Sequence, residues 1–272
     1  MTSVQTMRKW MRCAMVAVCA LTAASVPGCS GKRELVQPEG LVSPYDATSG
    51  EVLWAVAPLA NESGTSSVDV LAVGDALVAK ITEAQGLGAV PMNRTLAAMR
   101  ALGMGWVRSP GDAKRLADAL GVDGLVLGSI TSYDPYNPPK LGVTLALYAR
   151  EGAMGTKQTE RTDPRGLSGA YADEGRSRSE FAERPASVIN ESLDGANQGV
   201  QMLVERYATG RHDSETALGW QRYLASMDLY TEFVAHLAVA RLMQAERDRL
   251  GGGAQAGMAQ ETPPEPDERA KK

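Results

Sequence analysis

The first part of the chain alternates unbroken apolar runs with stretches in which apolar residues recur at helical spacing. The apolar run over 52–57 predicts a strand covered on both faces. The next segment predicts a helix that ends near Gly86, on the spacing of Val70, Val73, Leu77 and Ile81. A short strand over 89–92 follows. The second helix is expected to have Asn93 as its N-cap and one apolar side, formed by Met92, Leu96, Met99 and Leu102.

The next helix carries its own start and stop signals. Ser109 fits the N-cap, Pro110 the first helical position and Gly121 the C-terminal stop. A buried strand over 125–130 follows. In the strand over 143–148 apolar and mixed residues alternate, which favours an antiparallel strand nearer the sheet edge. The pattern predicts an α/β (α+β) fold, a small mixed sheet with helices packed on it, followed by a C-terminal helical pair.

Composition changes where the α/β domain, expected over 51–150, ends. Residues 151–185 are rich in Gly, Arg, Asp, Glu and Ser, which predicts a flexible insertion. Residues 186–250 are expected to form two helices with heptad-like seams, Ile189, Leu193, Ala196, Val200, Leu203 and Tyr207 in the first and Trp220, Leu224, Met227, Tyr230, Val234 and Leu237 in the second. These seams either pack within the chain or form an exposed coiled-coil surface for a homo-oligomer. Residues 251–272 are expected to be a disordered tail.

The start of the chain is typical of an export signal. Residues 1–28 combine a short basic segment with an apolar stretch that is shorter than the about 20 residues a membrane span requires. The stretch VPGC, ending at Cys29, resembles the lipobox of bacterial lipoproteins, in which the cysteine is acylated before cleavage. Cleavage would remove Cys13 and Cys19, leaving Cys29 without a disulfide partner. We therefore expect a lipoprotein held in a membrane by palmitate-type acyl chains, with a flexible tether over 29–50.

Charge limits the partners further. The formal net charge is −4, and removal of residues 1–28 takes away three basic residues and no acidic one. An acidic chain has no general attraction for nucleic acid or for anionic lipid headgroups. The sequence therefore predicts no nucleic-acid partner and a covalent membrane anchor.

Few residues suit catalysis. The two histidines, His212 and His236, have no metal-ligand spacing between them and are expected to be solvated or packed. Three carboxylates near strand ends, Glu62, Asp123 and Asp134, are the candidates for an acid–base pair. The sequence contains no phosphate-binding glycine loop, nucleophile elbow or zinc-protease motif. It predicts no enzyme, no cofactor and no metal site.

The stretch SYDPYNPPK, residues 132–140, connects two predicted strands. Tyr133, Tyr136, Pro138 and Pro139 make this connection stiff and aromatic, and stiffness lowers the entropy lost when a partner docks. Fixed aromatic residues suit contact with a protein or with peptidoglycan. The other interpretation is a rigid turn that covers one end of the sheet. Exposure of the two tyrosine rings separates these interpretations.

Several motifs occur in an order that resembles one group of bacterial envelope lipoproteins. They are VAPLANESGT followed by a helix, then GLGAVPMNR, then a capped helix ending in LADALGVDGLVLGSITSYD, and the final strand VTLALY. The group includes the penicillin-binding-protein activators, the curli secretion lipoprotein and, more distantly, the N-terminal domain of the Tol translocation protein. The resemblance implies a role in envelope assembly or secretion. The chain departs from the group over 151–184 and lacks the long alternating hairpins of the pore-forming relatives.

Together these features predict a non-enzymatic, lipid-anchored lipoprotein of the cell envelope whose α/β domain binds a periplasmic protein or an envelope component. The residue after the cysteine is Ser30. By resemblance to the proteobacterial sorting rule, a serine at this position implies the outer rather than the inner membrane, with the domain facing the periplasm. Two alternatives remain open. One is a structural oligomer built through the C-terminal helices, and the other is an envelope hydrolase, which predicts a cleft with converging titratable groups.

Overall fold

The structure is a computed structural model that describes residues 37–45, 50–150, 154, 184–211 and 216–258, with side chains described as far as residue 251. These residues form six strands: β1 Val52–Val56, β2 Ala60–Asn61, β3 Leu87–Val90, β4 Gly124–Asp134, β5 Lys140–Ala149 and β6 Ser187–Asp194. They also form six α-helices: α1 Val70–Thr82, α2 Met92–Ala101, α3 Pro110–Leu120, α4 Gln198–Ala208, α5 Arg222–Ala225 and α6 Met227–Met258.

The strands form one mixed sheet in the order β3-β1-β4-β5-β6. β3, β1 and β4 are parallel, whereas β5 is antiparallel to both of its neighbours, β4 and β6. The short β2 also pairs with β4, in parallel. The predicted fold class, a small mixed sheet with helices packed on it, is confirmed. The predicted antiparallel pairing of β5 is also confirmed, and β5 lies one strand in from the edge.

Alternation along β1 directs its side chains into two cores. Trp54 and Val56 belong to the larger core, to which α1 and α6 contribute. Ala55 and Ala57 belong to the smaller core, to which α2 and α3 contribute. Helices therefore cover both faces of the sheet, as the unbroken apolar run over 52–57 predicts. Each large apolar side chain buried in these cores contributes about 1.5–3 kcal/mol.

The predicted signals for α3 are confirmed. The hydroxyl of Ser109 accepts a hydrogen bond from the Asp112 backbone N at 3.1 Å, which satisfies one of the free N–H groups of the first turn. Pro110 holds the first helical position. Gly121 ends the helix in the left-handed region, with φ of 67°, where a residue without Cβ has no steric penalty.

The expected cap of α2 is wrong. The helix begins at Met92 and Pro91 holds the N-cap position, without a side-chain cap hydrogen bond. Pro91 has φ of −57° and ψ of 142°, an extended conformation that suits its ring and leads directly from β3 into the helix. Asn93, the expected cap, lies exposed in the first turn.

The range 186–250, expected to be helical throughout, begins instead with a strand. β6 pairs with β5 in an uninterrupted register from Lys140↔Asp194 to Leu147↔Ser187. Ile189 and Leu193 are buried while Val188 is 54% exposed, which is a strand pattern. The four-residue spacing between Ile189 and Leu193 fits a strand as well as a helix, because four is a multiple of the strand period of two. β6 therefore extends the sheet beyond the predicted α/β domain of 51–150.

The second predicted helix is divided. A short 3₁₀ turn and α5 lead to Ser226, whose φ of −127° and ψ of 122° interrupt the helix before α6 begins. Tyr230 and Val234 of the seam are buried in the larger core, so the interpretation in which the seam packs within the chain is confirmed. α6 continues to Met258, past the position where the disordered tail was expected to begin. Residues 259–272 lie outside the described residues.

A buried carboxylate fastens the residues before β1 to the C-terminal helix. Glu246 of α6 is fully buried and accepts hydrogen bonds from Tyr45 Oη at 2.8 Å and from Ser187 Oγ. Arg249 pairs with the same carboxylate at 2.6 and 3.0 Å and donates to the Met154 carbonyl at 2.7 Å. The tether over 29–50 was expected to be flexible, but its described residue Tyr45 is attached to the domain in this way. Met154, which belongs to the predicted insertion, is buried.

Candidate binding surface

The four residues singled out between β4 and β5 lie in different environments. Tyr136 is 79% exposed and Pro138 is also exposed, whereas Pro139 is buried and Tyr133 is half-buried. The Asn137–Pro138 peptide bond is cis. We call residues 135–139 the β4–β5 turn. The turn presents one tyrosine ring to solvent, and the other ring lies on the wall of a groove.

That groove lies between α1 and the first turns of α6. It has a volume of about 450 Å³. Its walls carry five carboxylates and one lysine, together with Tyr133 and small apolar residues of α1. We call it the acidic groove; its charged residues are Asp69, Asp75, Lys80, Glu83, Asp228 and Glu232.

The charges of the acidic groove do not cancel. The one cation, Lys80, is largely buried and lies 2.8 Å from Glu83, which leaves four carboxylates of the groove without a lysine of their own. Burial lowers the pKa of Lys80, but the hydrogen bond to Glu83 and the nearby side chains of Tyr207 and Glu83 outweigh this effect and raise that pKa. The pKa of Tyr133 is raised by burial and then by the negative charges of Asp228 and Asp69.

Two of the carboxylates also have a local structural role. Asp69 is the N-cap of α1 and accepts hydrogen bonds from the backbone N of Leu71 and Ala72, both at 3.0 Å. Asp228 lies in the first turn of α6, where a negative charge is favourable because of the helix dipole. Helix stability therefore explains why these residues are acidic at these positions. Their convergence on one groove follows from the packing of α1 against α6.

A second groove lies between α4, α6 and residues 39–42, and contains His236. The ring of His236 lies 4.9 Å from that of Tyr207, and its Nδ1 is buried without a hydrogen-bond partner. Burial, and then the positive charges of Arg211 and Lys80, lower the pKa of His236 to about 4. The expectation of a packed histidine is confirmed for His236, and His212 lies outside the described residues.

The carboxylates considered for acid–base chemistry are not brought together. Asp123 and Asp134 lie at opposite ends of β4, a distance of about 35 Å for a strand of this length. Asp123 pairs with Arg150 at 2.6 Å and accepts a hydrogen bond from Leu53 N at 3.0 Å. Glu62 is exposed beyond the end of β2.

Metal sites and membrane-spanning helices are two other features that the described residues could contain. In that part of the chain, no group of three or more His, Cys, Asp or Glu residues is arranged to hold a metal ion. None of the helices described has both the length and the hydropathy to cross a bilayer. Cys29, the expected lipidation site, lies outside the described residues.

No protein-family model and no curated protein matches this sequence. Solved structures do match. The LpoB C-terminal domain from Salmonella enterica is 9% identical with a TM-score of 0.36, over 58% of this chain and 87% of that chain. Lipoprotein GNA1162 from Neisseria meningitidis is 14% identical with a TM-score of 0.36, over 56% of this chain and 92% of that chain. Hypothetical protein CT253 from Chlamydia trachomatis is 12% identical with a TM-score of 0.33, over 76% and 99%. At these values the likenesses carry no argument about function.

Proposed function

We propose that this chain is a non-enzymatic lipoprotein of the cell envelope, anchored through Cys29, that binds a basic segment of another envelope protein. The acidic groove and the exposed Tyr136 of the β4–β5 turn form the binding surface. Ser30 after the anchored cysteine extends the proposal to the outer membrane. The observation that carries the binding role is the excess of carboxylates in a groove whose wall includes Tyr133.

Both parts of the surface have a physical role in recognition. Unpaired carboxylates around a concave surface create a negative potential, which speeds the approach of a cationic segment and fixes its position. An exposed tyrosine on a stiff turn contributes apolar area and a hydroxyl, and it loses little entropy on binding. The partner that fits has lysine or arginine residues next to apolar ones.

The binding test replaces charges without changing shape. Asp228→Asn and Glu232→Gln neutralise two groove residues, and Asp248→Asn is the matched control because Asp248 is exposed on the same helix outside the groove. A photo-crosslinking residue at position 136 identifies the partner in native membranes, and association rates are then measured with the purified pair. We expect slower association and a weaker salt dependence for the groove variants and wild-type values for the control. Wild-type rates for the double groove variant would show that the groove is not the binding site.

The anchor has a separate test. Mass spectrometry of the protein extracted from membranes is expected to show acyl chains on Cys29 at the new amino terminus. Cys29→Ala is expected to abolish this processing. An unmodified Cys29 thiol on wild-type protein that is released from cells would contradict the anchor and leave the groove proposal to its own test.

A further inference from the structure

The connection between α2 and α3 carries an exposed tryptophan and several exposed basic residues. Trp106 is 42% exposed, and Arg100, Arg108 and Arg115 are all exposed near it in sequence. We call residues 100–115 the α2–α3 corner. It contains four basic residues and one acidic residue. A tryptophan ring combines a large apolar area with an N–H donor, so at a basic surface it offers both apolar and polar contacts to a partner.

The backbone of the corner explains why this ring is outside. Three apolar neighbours of Trp106 pack against the smaller core: Leu102, Met104 and Val107. Gly103 has φ of 67° and turns the chain away from α2, and a Cβ added at Gly103 or Gly105 would meet no atom within 4 Å. The connection is therefore anchored on its inner side and open on its outer side, where Trp106 lies.

The acidic residue of the corner is already engaged. Asp112 accepts a hydrogen bond from the backbone N of Arg108 at 3.2 Å and lies 3.9 Å from Arg115. An exposed pair at that distance neutralises its arginine only in part. The corner therefore keeps a net positive charge, to which Arg100 and Arg108 contribute.

This basic corner and the acidic groove lie on opposite faces of the sheet. The corner belongs to the layer of α2 and α3, which covers the smaller core. The groove belongs to the layer of α1 and α6, which covers the larger core. The formal net charge of −4 belongs to the whole chain and does not describe the local charge of the corner. A negative net charge does not prevent the corner from binding an anionic surface within the Debye length of about 8 Å.

We infer that the α2–α3 corner docks on an anionic bilayer surface, with the indole of Trp106 at headgroup level and its arginines against lipid phosphates. Tryptophan favours the membrane interface because its ring is apolar and its N–H can reach polar headgroups. Arginine stems cover apolar surface while their guanidinium groups pair with phosphate oxygens. Docking in this way turns the acidic groove away from the bilayer, toward a partner. The inference rests on the proposed anchor, which holds the domain near the membrane.

The test uses the full protein extracted from membranes and reconstituted in vesicles of phosphatidylcholine with or without phosphatidylglycerol. An environment-sensitive fluorophore is attached at Trp106→Cys or, as a control, at Met202→Cys, an exposed position on α4. We expect the probe at 106 to shift to the blue and to be quenched from within the bilayer when phosphatidylglycerol is present. The probe at 202 is expected to stay in water. The same test can be made on unlabelled protein. The contribution of Trp106 to the intrinsic fluorescence is the part that Trp106→Phe removes, and brominated lipids should quench that part.

The charge requirement has its own variants. Arg100→Gln and Arg108→Gln are each expected to lower the ratio of docked to undocked protein by about five-fold, because a basic residue at an anionic surface contributes about 1 kcal/mol. Arg222→Gln, an exposed arginine of α5, is the matched control and should leave the ratio unchanged.

Three results would overturn the inference. They are a probe at 106 that stays in water in both kinds of vesicle, equal immersion with and without phosphatidylglycerol, and a shift caused by peptidoglycan fragments but not by vesicles. Failure of the anchor is distinguishable from these, because the protein would then not float with vesicles of phosphatidylcholine alone, whichever position carries the probe.

Discussion

His236 is a histidine that the fold holds uncharged. Its ring packs at a tilt of 49° against that of Tyr207, and its buried Nδ1 has no hydrogen-bond partner to stabilise a proton. The positive charges of Arg211 and Lys80 lower the pKa of His236 further. The negative charges of Glu83 and Glu39 offset this effect only in part, and the pKa falls to about 4. The residue therefore serves packing rather than acid–base chemistry at neutral pH.

This lowered pKa of His236 makes stability depend on pH in a defined window. The unfolded chain takes up the proton first, near its ordinary pKa of about 6.5, so stability is complete above that pH and is lost as the pH falls toward about 4. We expect His236→Leu to lose less stability than wild type between these two values in urea unfolding. His212 is present in both proteins and cancels in the comparison. Parallel loss of stability in the two proteins would contradict the assignment.

Tyr133 and Tyr136 show what residue type alone leaves undetermined. Both were singled out as binding candidates from one stretch of sequence, yet Tyr136 is exposed at the tip of the turn and Tyr133 lies in the groove wall. The difference depends on where β4 ends, at Asp134, and on α1 and α6 packing beside that end. The acidic groove itself was not predicted, because its carboxylates come from segments about 150 residues apart in the chain.

At the scale of elements, local signals predicted the structure where they were complete. α3 has its cap, its first-turn proline and its terminal glycine in sequence, and all three are used as expected. The prediction for the segment that forms β6 was wrong, because an apolar spacing of four residues fits both the helix period and the strand period. Only its pairing with β5 decides between them, and that pairing joins residues 40 to 54 positions apart. The division at Ser226 likewise depends on tertiary packing, since Trp220 to Leu237 continue one apolar seam across it.

For the molecule as a whole, the C-terminal part of the chain completes the domain that the N-terminal part begins. The larger core contains residues of β1, α1, β4 and β5 together with residues of β6, α4 and α6. Residues 37–45 close the arrangement, with a bridge between Val42 and Gln85 and the hydrogen bond from Tyr45 to Glu246. Residues 37–45, which were expected to belong to a flexible tether, are therefore part of the fold.

The polar cluster around Glu246 joins these distant parts of the chain, so its loss should lower the stability of the whole domain. Glu246→Ala removes the acceptor for Tyr45, Ser187 and Arg249 at once, and we expect it to lower the free energy of unfolding by about 3 kcal/mol or more, because breaking a buried ion pair leaves its partners uncompensated. Glu191→Ala is the matched control, since Glu191 pairs with Arg241 at 3.4 Å across a surface that water reaches. It should cost under about 1 kcal/mol. Urea unfolding at neutral pH measures both changes. Equal losses for the two variants would mean that the buried carboxylate does not fasten the first and last parts of the chain together.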